Sequence, residues 1–321
     1  MFKQFSRAFV ALALLLSVCA ARADYPDRPI KIIVPIGAGS TTDFVARLIA
    51  EQLRTSLGQP VVVENQPGAG GTLGTAMVAR APADGYTLLV ASSAHTVNPV
   101  IYSKLPYNTT TDFSGISVLV TLPNVLVTSP ARNFRTMEDL VSFGHKQPGA
   151  LTFGSGGVGS GAHMNAELFR AMAKIDAVHV PYKGTPDVVN GLINGSIDFA
   201  FVPITTALPF LRSGKLVPLA LGSAARTPLL PDVPTTEEAG VPGSAHNEWL
   251  GLYTRSGVPE DIIRRLNREV VKALKSAALT ERLAMVGASP APTSPADTDA
   301  YVKAGITSIA GTVKLARIPT N

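Results

Sequence analysis

Short β-branched runs alternate with amphipathic segments of helical length in the first third of the chain. In residues 43–57 the apolar side chains recur at helical spacing, and Gly58 follows as a stop signal. The strand-like runs are residues 30–35, 60–64 and 86–91, and a second helix-like segment extends from the glycine turn at 68–71 to Arg80. This β-α-β-α-β order predicts parallel strands joined by right-handed helical connections, hence an α/β fold.

The same alternation restarts after residues 116–128, where two apolar runs around Pro123 indicate one extended passage between two bodies. Helices are predicted at 134–147, 162–173, 185–194, 259–275 and 295–309, and strands at 151–153, 177–181, 199–203, 216–221 and 249–253. We therefore expect a discontinuous first domain, residues 24–123 plus 225–321, and a second domain, residues 124–224. Two crossings between α/β domains create a cleft lined by loops at the strand C-termini.

The first 23 residues have the features of a secretory signal peptide. Lys3 and Arg7 precede an apolar run at 8–21 that is too short to span a membrane, and Ala21-Arg22-Ala23 matches an A-x-A cleavage site. Cys19 raises the alternative of a lipoprotein, but Val18 stands where such signals want a small residue. The sequence predicts cleavage after Ala23 and export of the mature chain.

Composition and charge reduce the number of ligand and partner classes to be considered. The 321 residues are 46% hydrophobic and 16% charged, as in ordered globular proteins, and removal of the signal lowers the formal net charge from +5 to +2. Without a basic run, no nucleic-acid partner is expected. The single cysteine leaves with the signal, and the five histidines are scattered, so we expect neither disulfide, metal nor cofactor.

The loop at residues 35–43 (PIGAGSTTD) joins the first strand to the first helix. Glycines, hydroxyls and a helix N-terminus together favour an anion-binding site, although a simple capped turn explains Thr42 and Asp43 equally well.

Two loops of the second domain likewise join a predicted strand to a predicted helix. Residues 154–161 (GSGGVGSG) satisfy G-x-G-x-x-G, but the next strand ends at Tyr182 without the acid that a dinucleotide site requires, so an anion-accepting loop fits better. Residues 181–186 (PYKGTP) bring Tyr182, Gly184 and Thr185 to another helix start. The sequence contains neither a G-x-S-x-G motif nor a metalloprotease motif, so it gives little support for catalysis.

Several ordered motifs resemble the Bug (TctC-like) periplasmic solute receptors along essentially the whole mature chain. They are IKIIVPIGAGSTTDFVARLIAEQL, VVVENQPGAGGTLG, ADGYTLL, NPVIYSKLPY, VHVPYKGT and LLPDVPTTEEAG. The resemblance implies a type II-like periplasmic-binding-protein fold, two α/β domains joined by two crossing strands, that closes on a small carboxylate. It also implies delivery to the integral membrane subunits of a tripartite tricarboxylate transporter, and we expect a monomer.

The resemblance further implies which residues bind the ligand carboxylate. One side of the cleft would offer Gly39, Ser40, Thr41, Thr42 and Asp43, with Asp43 orienting the loop because like charges repel. The other side would offer Gly154, Ser155, His163, Tyr182, Gly184 and Thr185. Ser93 and His95 would contact the ligand's far end. Ala38-Gly39-Ser40 stands where relatives commonly have a Pro-Gly-Gly-like run, and Asp187 replaces a common proline.

Two other readings remain open from the sequence. An exported enzyme of this architecture would use Ser155 or Ser160 with a nearby base such as His163. A solute sensor that feeds a signalling partner would share all of the binding chemistry. No arginine falls in the proposed loops, so mono-, di- and tricarboxylates and aromatic acids all remain candidates.

Overall fold

The computed structural model describes residues 25–318 and residue 320, so the predicted signal peptide, residues 1–23, lies outside it. The strands are β1 Ile30–Val34, β2 Val61–Asn65, β3 Thr87–Ser92, β4 Phe113–Leu122, β5 Asn124–Thr128, β6 Leu151–Ser155, β7 Ala177–Pro181, β8 Phe199–Pro203, β9 Val217–Leu221, β10 Glu248–Arg255 and β11 Ser289–Pro290. The helices are α1 Thr41–Leu57, α2 Thr72–Ala79, α3 Ala94–Ile101, α4 Met137–Lys146, α5 Gly161–Met172, α6 Thr185–Ile193, α7 Ile204–Arg212, α8 Glu260–Leu274, α9 Ala277–Ala284 and α10 Pro295–Ala316.

Two mixed sheets with flanking helices form two bodies, which confirms the predicted α/β class. The first sheet has the order β11-β4-β10-β3-β1-β2, and the second β7-β6-β8-β5-β9. The pairs β1–β2, β1–β3, β6–β7 and β6–β8 are parallel, as the alternation predicts. The strands that carry the crossings are antiparallel: β10 pairs with β3 and β4, and β5 with β8 and β9.

The outward crossing is short, because β4 and β5 are separated only by Pro123. The return comes later than residue 225. Thr236 donates its N–H to Leu221 on β9, Val241 packs in the core of the second body, and His246 donates its N–H to Gly222. The chain therefore stays on the second body until shortly before β10 enters the first sheet.

Three short helices were not expected: α3, α7 and α9. The first two contain Pro99 and Pro209 inside the helix, and an internal proline ordinarily signals a helix end. Helix α10 is longer than predicted and packs against both α3 and α5. Arg170 on α5 donates to the carbonyl oxygen of Ala316 at 2.9 Å, so this helix links the two bodies. None of the helices within residues 25–318 has the length and hydropathy of a membrane span.

Candidate functional site

A cleft of about 720 Å³ lies between the two bodies, a size that suits a small-molecule ligand. The loops after β1, β3, β6, β7 and β8 line it, together with the crossing residues Leu122–Asn124 and Glu248. Each of these loops leads into the N-terminus of a helix, namely α1, α3, α5, α6 and α7. The C-terminal ends of the parallel strands therefore converge where the topology predicts a ligand site.

The loop between β1 and α1, residues 35–40, is folded around a buried carboxylate. Gly39 adopts φ +82°, a left-handed conformation that favours glycine, and its N–H donates to Asp43 Oδ2 at 2.9 Å. Ser40 caps α1 by accepting the N–H of Asp43 at 3.2 Å. Thr41 and Thr42, the first residues of α1, line the cleft.

Asp43 itself lies behind this loop, 4% exposed. Its carboxylate also accepts from Arg47 Nε at 3.1 Å and from Asn65 Nδ2 at 3.0 Å. Burial alone raises the pKa of this carboxyl, but the hydrogen bonds from Arg47, Gly39 and Asn65 outweigh it and hold the pKa below its ordinary value. Asp43 is thus an ionised brace for the loop.

The loop between β6 and α5, residues 156–160, is held by histidine and serine side chains. His163 Nδ1 accepts the N–H of Gly159 at 3.2 Å, and Ser160 caps α5 by accepting the N–H of His163 at 3.2 Å. The His163 ring packs at a tilt against His179, with centroids 4.2 Å apart. The backbone of this loop faces the cleft, while His163 is buried behind it.

Ser155 has a base within hydrogen-bonding distance, which bears on the enzyme alternative. His179 Nε2 lies 2.7 Å from Ser155 Oγ, and the same hydroxyl contacts the carbonyl oxygen and N–H of Gly157. Burial, with His163 nearby, lowers the pKa of His179 to about 4. Ser155 has no exposed surface and does not line the cleft, so the pair braces Gly157 and does not face a ligand.

The turn between β7 and α6 splits its residues between cleft and core. Gly184 and Thr185 line the cleft, whereas the Tyr182 ring packs in the core of the second body. Glycines at 154 and 191 leave room for it, since a Cβ at either would contact this ring closely.

The structure brings together seven of the thirteen predicted residues at the surface of the cleft: Gly39, Ser40, Thr41, Thr42, His95, Gly184 and Thr185. The other six lie behind that surface: Asp43, Ser93, Gly154, Ser155, His163 and Tyr182.

Sequence reasoning missed several polar residues that line the cleft. Asn98 and Tyr102 come from α3 and the residue after it, Thr205 and Thr206 open α7, and Glu248 begins β10. The two threonines follow a buried strand as the other loops do, so their position was a usable signal. Glu248 is the one acid in the otherwise uncharged run EWLGLY.

The electrostatics of the cleft favour a bound anion. Helix N-termini carry partial positive charge, and neither α5 nor α7 has an acidic residue in its first turn to offset it. Within residues 25–318, the charged side chains that line the cleft are Lys183, which is exposed, and Glu248; none is an arginine.

His95 is buried at the cleft wall, and neither ring nitrogen has a partner in the protein. Burial lowers the pKa of His95 to about 4, so the ring is neutral at pH 7. Its ring nitrogens are therefore available as a donor and an acceptor. No three His, Asp or Glu side chains of the described residues are grouped in a way that would hold a metal ion.

The sequence matches a family model and several curated proteins along most of its length. The family model "Tripartite tricarboxylate transporter family receptor" (TctC) matches residues 45–310. Protein BugT of Bordetella pertussis is 37% identical over 292 residues, which cover 90% of each chain. A UPF0065 protein encoded between tcbD and tcbE in Pseudomonas sp. strain P51 is 35% identical over 286 residues, 88% of this chain and 85% of the relative.

Solved structures agree with the sequence relatives. Rpa4515 of R. palustris with adipate superposes with a TM-score of 0.83 at 34% identity, covering 93% of this chain and all of that one. MatC from Rhodopseudomonas palustris with bound malate gives 0.78 at 32% identity, with 90% and 100% coverage. The periplasmic binding protein BugD gives 0.79 at 31% identity, with 92% and 100% coverage. The chain therefore belongs to the TctC family of tripartite tricarboxylate transporter receptors, the Bug-type solute-binding proteins, as its motifs predicted.

Proposed function

We propose that this protein captures a small carboxylate in its interdomain cleft and presents it to the membrane subunits of a tripartite transporter. The observation that carries the proposal is the convergence of glycine- and hydroxyl-rich loops and helix N-termini on one cleft. The relatives whose structures hold adipate and malate support a carboxylate as the ligand class. Family membership supports a receptor rather than an enzyme and a location in the periplasm.

In this proposal the two bodies grip one carboxylate from opposite sides. Hydroxyls and N–H groups of Ser40, Thr41 and Thr42 donate from the first body, while Gly39 shapes the loop because its N–H is held by Asp43. Gly184 and Thr185, with the N–H groups of residues 156–160 that the loop itself does not use, donate from the second. The buried residues Asp43, Ser155 and His163 act through the loops that they brace.

Closure of the two bodies on the ligand is the functional event. A ligand that contacts both bodies favours the closed state only by its higher affinity for that state. The closed receptor, as a monomer released by cleavage after Ala23, then docks on the membrane subunits. The intact mass of the exported protein tests the cleavage site, and sedimentation tests the monomer.

The deciding experiment is thermal unfolding of the exported protein, stripped of solute by denaturation and refolding, against carboxylates and their amides. A ligand at about a hundred times its Kd adds about 2.7 kcal/mol of stability and raises the unfolding midpoint by several degrees. An acid that stabilises while its amide does not supports the carboxylate site. Equal stabilisation by acid and amide, or by amides alone, overturns it.

Transport and sensing share this binding chemistry and need a cellular test. We expect that deletion of the receptor abolishes uptake of the radiolabelled ligand and that the wild-type gene restores it. Unchanged uptake with a lost transcriptional response to the ligand would favour the sensor instead.

A further inference from the structure

Glu248 occupies the floor of the cleft, where the chain re-enters the first sheet. It is partly buried, and its Oε1 accepts the hydroxyl of Ser93 at 3.2 Å. On the other side it lies against Gly161, the first residue of α5, so closely that a Cβ there would collide with Oε2. The carboxylate thus sits at the junction of both bodies and keeps surface in the cleft.

This carboxylate is incompletely paired. Ser93 supplies one hydrogen bond, although an ionised carboxylate has about four acceptor positions. It has no ion pair with any described basic side chain, and no other acid among the described residues lines the cleft. Burying a carboxylate without enough hydrogen bonds is energetically unfavourable. A ligand group that donates a hydrogen bond to Glu248 would therefore stabilise the complex.

The charge of Glu248 also changes around neutral pH. Burial raises its pKa to about 7, and the Ser93 hydrogen bond offsets part of that rise. Among the neighbouring titratable groups, His95 on α3 and His246 just before β10 have their pKa lowered by burial to about 4, so they are neutral. His163 on α5 is turned to Gly159 and Glu167.

We propose that Glu248 is a specificity residue that accepts a hydrogen bond from a hydroxyl or ammonium group of the ligand. This inference rests on the carboxylate-receptor function proposed above. It assigns the substrate class to small hydroxy or amino carboxylic acids, whose carboxylate binds the loops while the donor reaches Glu248. A second ionised carboxylate at the same place would be repelled by the charge of Glu248 at pH 8.

The experiment is calorimetric titration of the stripped protein at pH 8 with matched acids that differ in one substituent. Suitable sets are propanoate, lactate and alanine; succinate, malate and aspartate; and butanoate, 4-hydroxybutanoate and 4-aminobutanoate. We expect a hydroxy or amino acid to bind at least about tenfold more tightly than its unsubstituted partner. Glu248→Gln should abolish that preference for an ammonium group, and reduce it only a few-fold for a hydroxyl, because the amide oxygen still accepts.

Glu51→Gln is the matched control, because Glu51 is exposed on α1 and pairs with Arg282 away from the cleft. It should bind every acid as the wild type does. Equal binding of substituted and unsubstituted acids, unchanged in Glu248→Gln, overturns the role of Glu248 while leaving the carboxylate receptor intact. If no acid binds either protein while amides do, the proposed function fails and this inference with it.

Discussion

The two loops that face each other across the cleft have similar compositions but are braced by different chemistry. In the first body an ionised carboxylate, Asp43, collects the N–H of Gly39, a guanidinium and an amide. In the second body an imidazole and a hydroxyl do the equivalent work: His163 accepts from Gly159, and Ser155 accepts from Gly157 while it contacts His179. Each glycine-rich loop is thus held by buried acceptors, but that acceptor need not be a carboxylate.

Asp43 and His179 both keep their charge state at neutral pH. Asp43 stays ionised because its pKa lies below the ordinary value, and the low pKa of His179 keeps it neutral down to about pH 4. Both braces are thus intact at neutral pH. Glu248, whose pKa burial raises to about 7, does change its charge around neutral pH.

The largest effect is expected from removal of the charged brace. Asp43→Ala leaves the Gly39 N–H and the Asn65 amide without their acceptor and should lower the free energy of unfolding by about 3 kcal/mol. The half-exposed Arg47 contributes little to that loss. Denaturant unfolding and ligand titration measure the two consequences, and we expect affinity to fall as well.

Asp43→Asn is the control for charge, because it keeps an oxygen that can accept from Gly39. It should lose about half as much stability as Asp43→Ala. Wild-type stability and affinity in Asp43→Ala would show that the loop holds its shape without the carboxylate, and the contrast between the two braces would collapse.

The neutral brace should be recognisable from its pH profile. A pKa of about 4 in the folded protein, against an ordinary 6.5, means that His179 favours the folded state fully above pH 6.5 and progressively less as the pH falls to 4. Because His179 is only partly buried, we expect a loss of about 2 kcal/mol or less across that window.

His179→Gln removes the titration and keeps an N–H that can reach Ser155. The difference in unfolding free energy between His179→Gln and wild type should therefore shrink from pH 6.5 to 4. The difference between Asp43→Asn and wild type should stay constant over the same range, since Asp43 remains ionised. Parallel curves for wild type and His179→Gln would contradict the neutral brace.

A smaller effect is expected at His163, which contacts the second loop through one nitrogen. His163→Ala leaves the buried N–H of Gly159 unpaired and should weaken ligand binding by about 1 to 2 kcal/mol. His163→Asn places an oxygen near the position of Nδ1 and should restore most of that affinity, measured by titration. Equal affinities in both variants would mean that the loop backbone does not depend on this bond.

The sequence predicted the parts of this site that follow from topology. Loops at the ends of buried strands supplied Gly39, Thr42 and Thr185, because strand ends of a parallel sheet meet at one edge. Tyr182 illustrates what local pattern cannot give. Whether its ring faces cleft or core depends on space left by glycines 154 and 191, on other elements.

Glu248 illustrates a second limit. Its strand was predicted, but its place beside the first residue of α5 depends on how the two bodies pack, and periodicity within one strand carries no such information. Helix α3, which brings Asn98 to the cleft, was obscured by Pro99. Packing between distant segments, rather than local propensity, decided the residues that were missed.

The smallest effect concerns a residue that both sequence and structure place at the cleft. Thr185 is the first residue of α6, and its hydroxyl is a donor that the proposed carboxylate site would use. Thr185→Val keeps the shape and loses the hydroxyl, so affinity should fall by about 1 kcal/mol, or about fivefold. Thr185→Ser keeps the donor and should bind nearly as the wild type does.

Thr206→Val at the start of α7 makes the same change on a different helix of the same body. A loss in Thr185→Val alone would place the carboxylate between the first loop and α6, whereas wild-type affinity in Thr185→Val would remove Thr185 from the site and leave the backbone N–H groups to bind the anion.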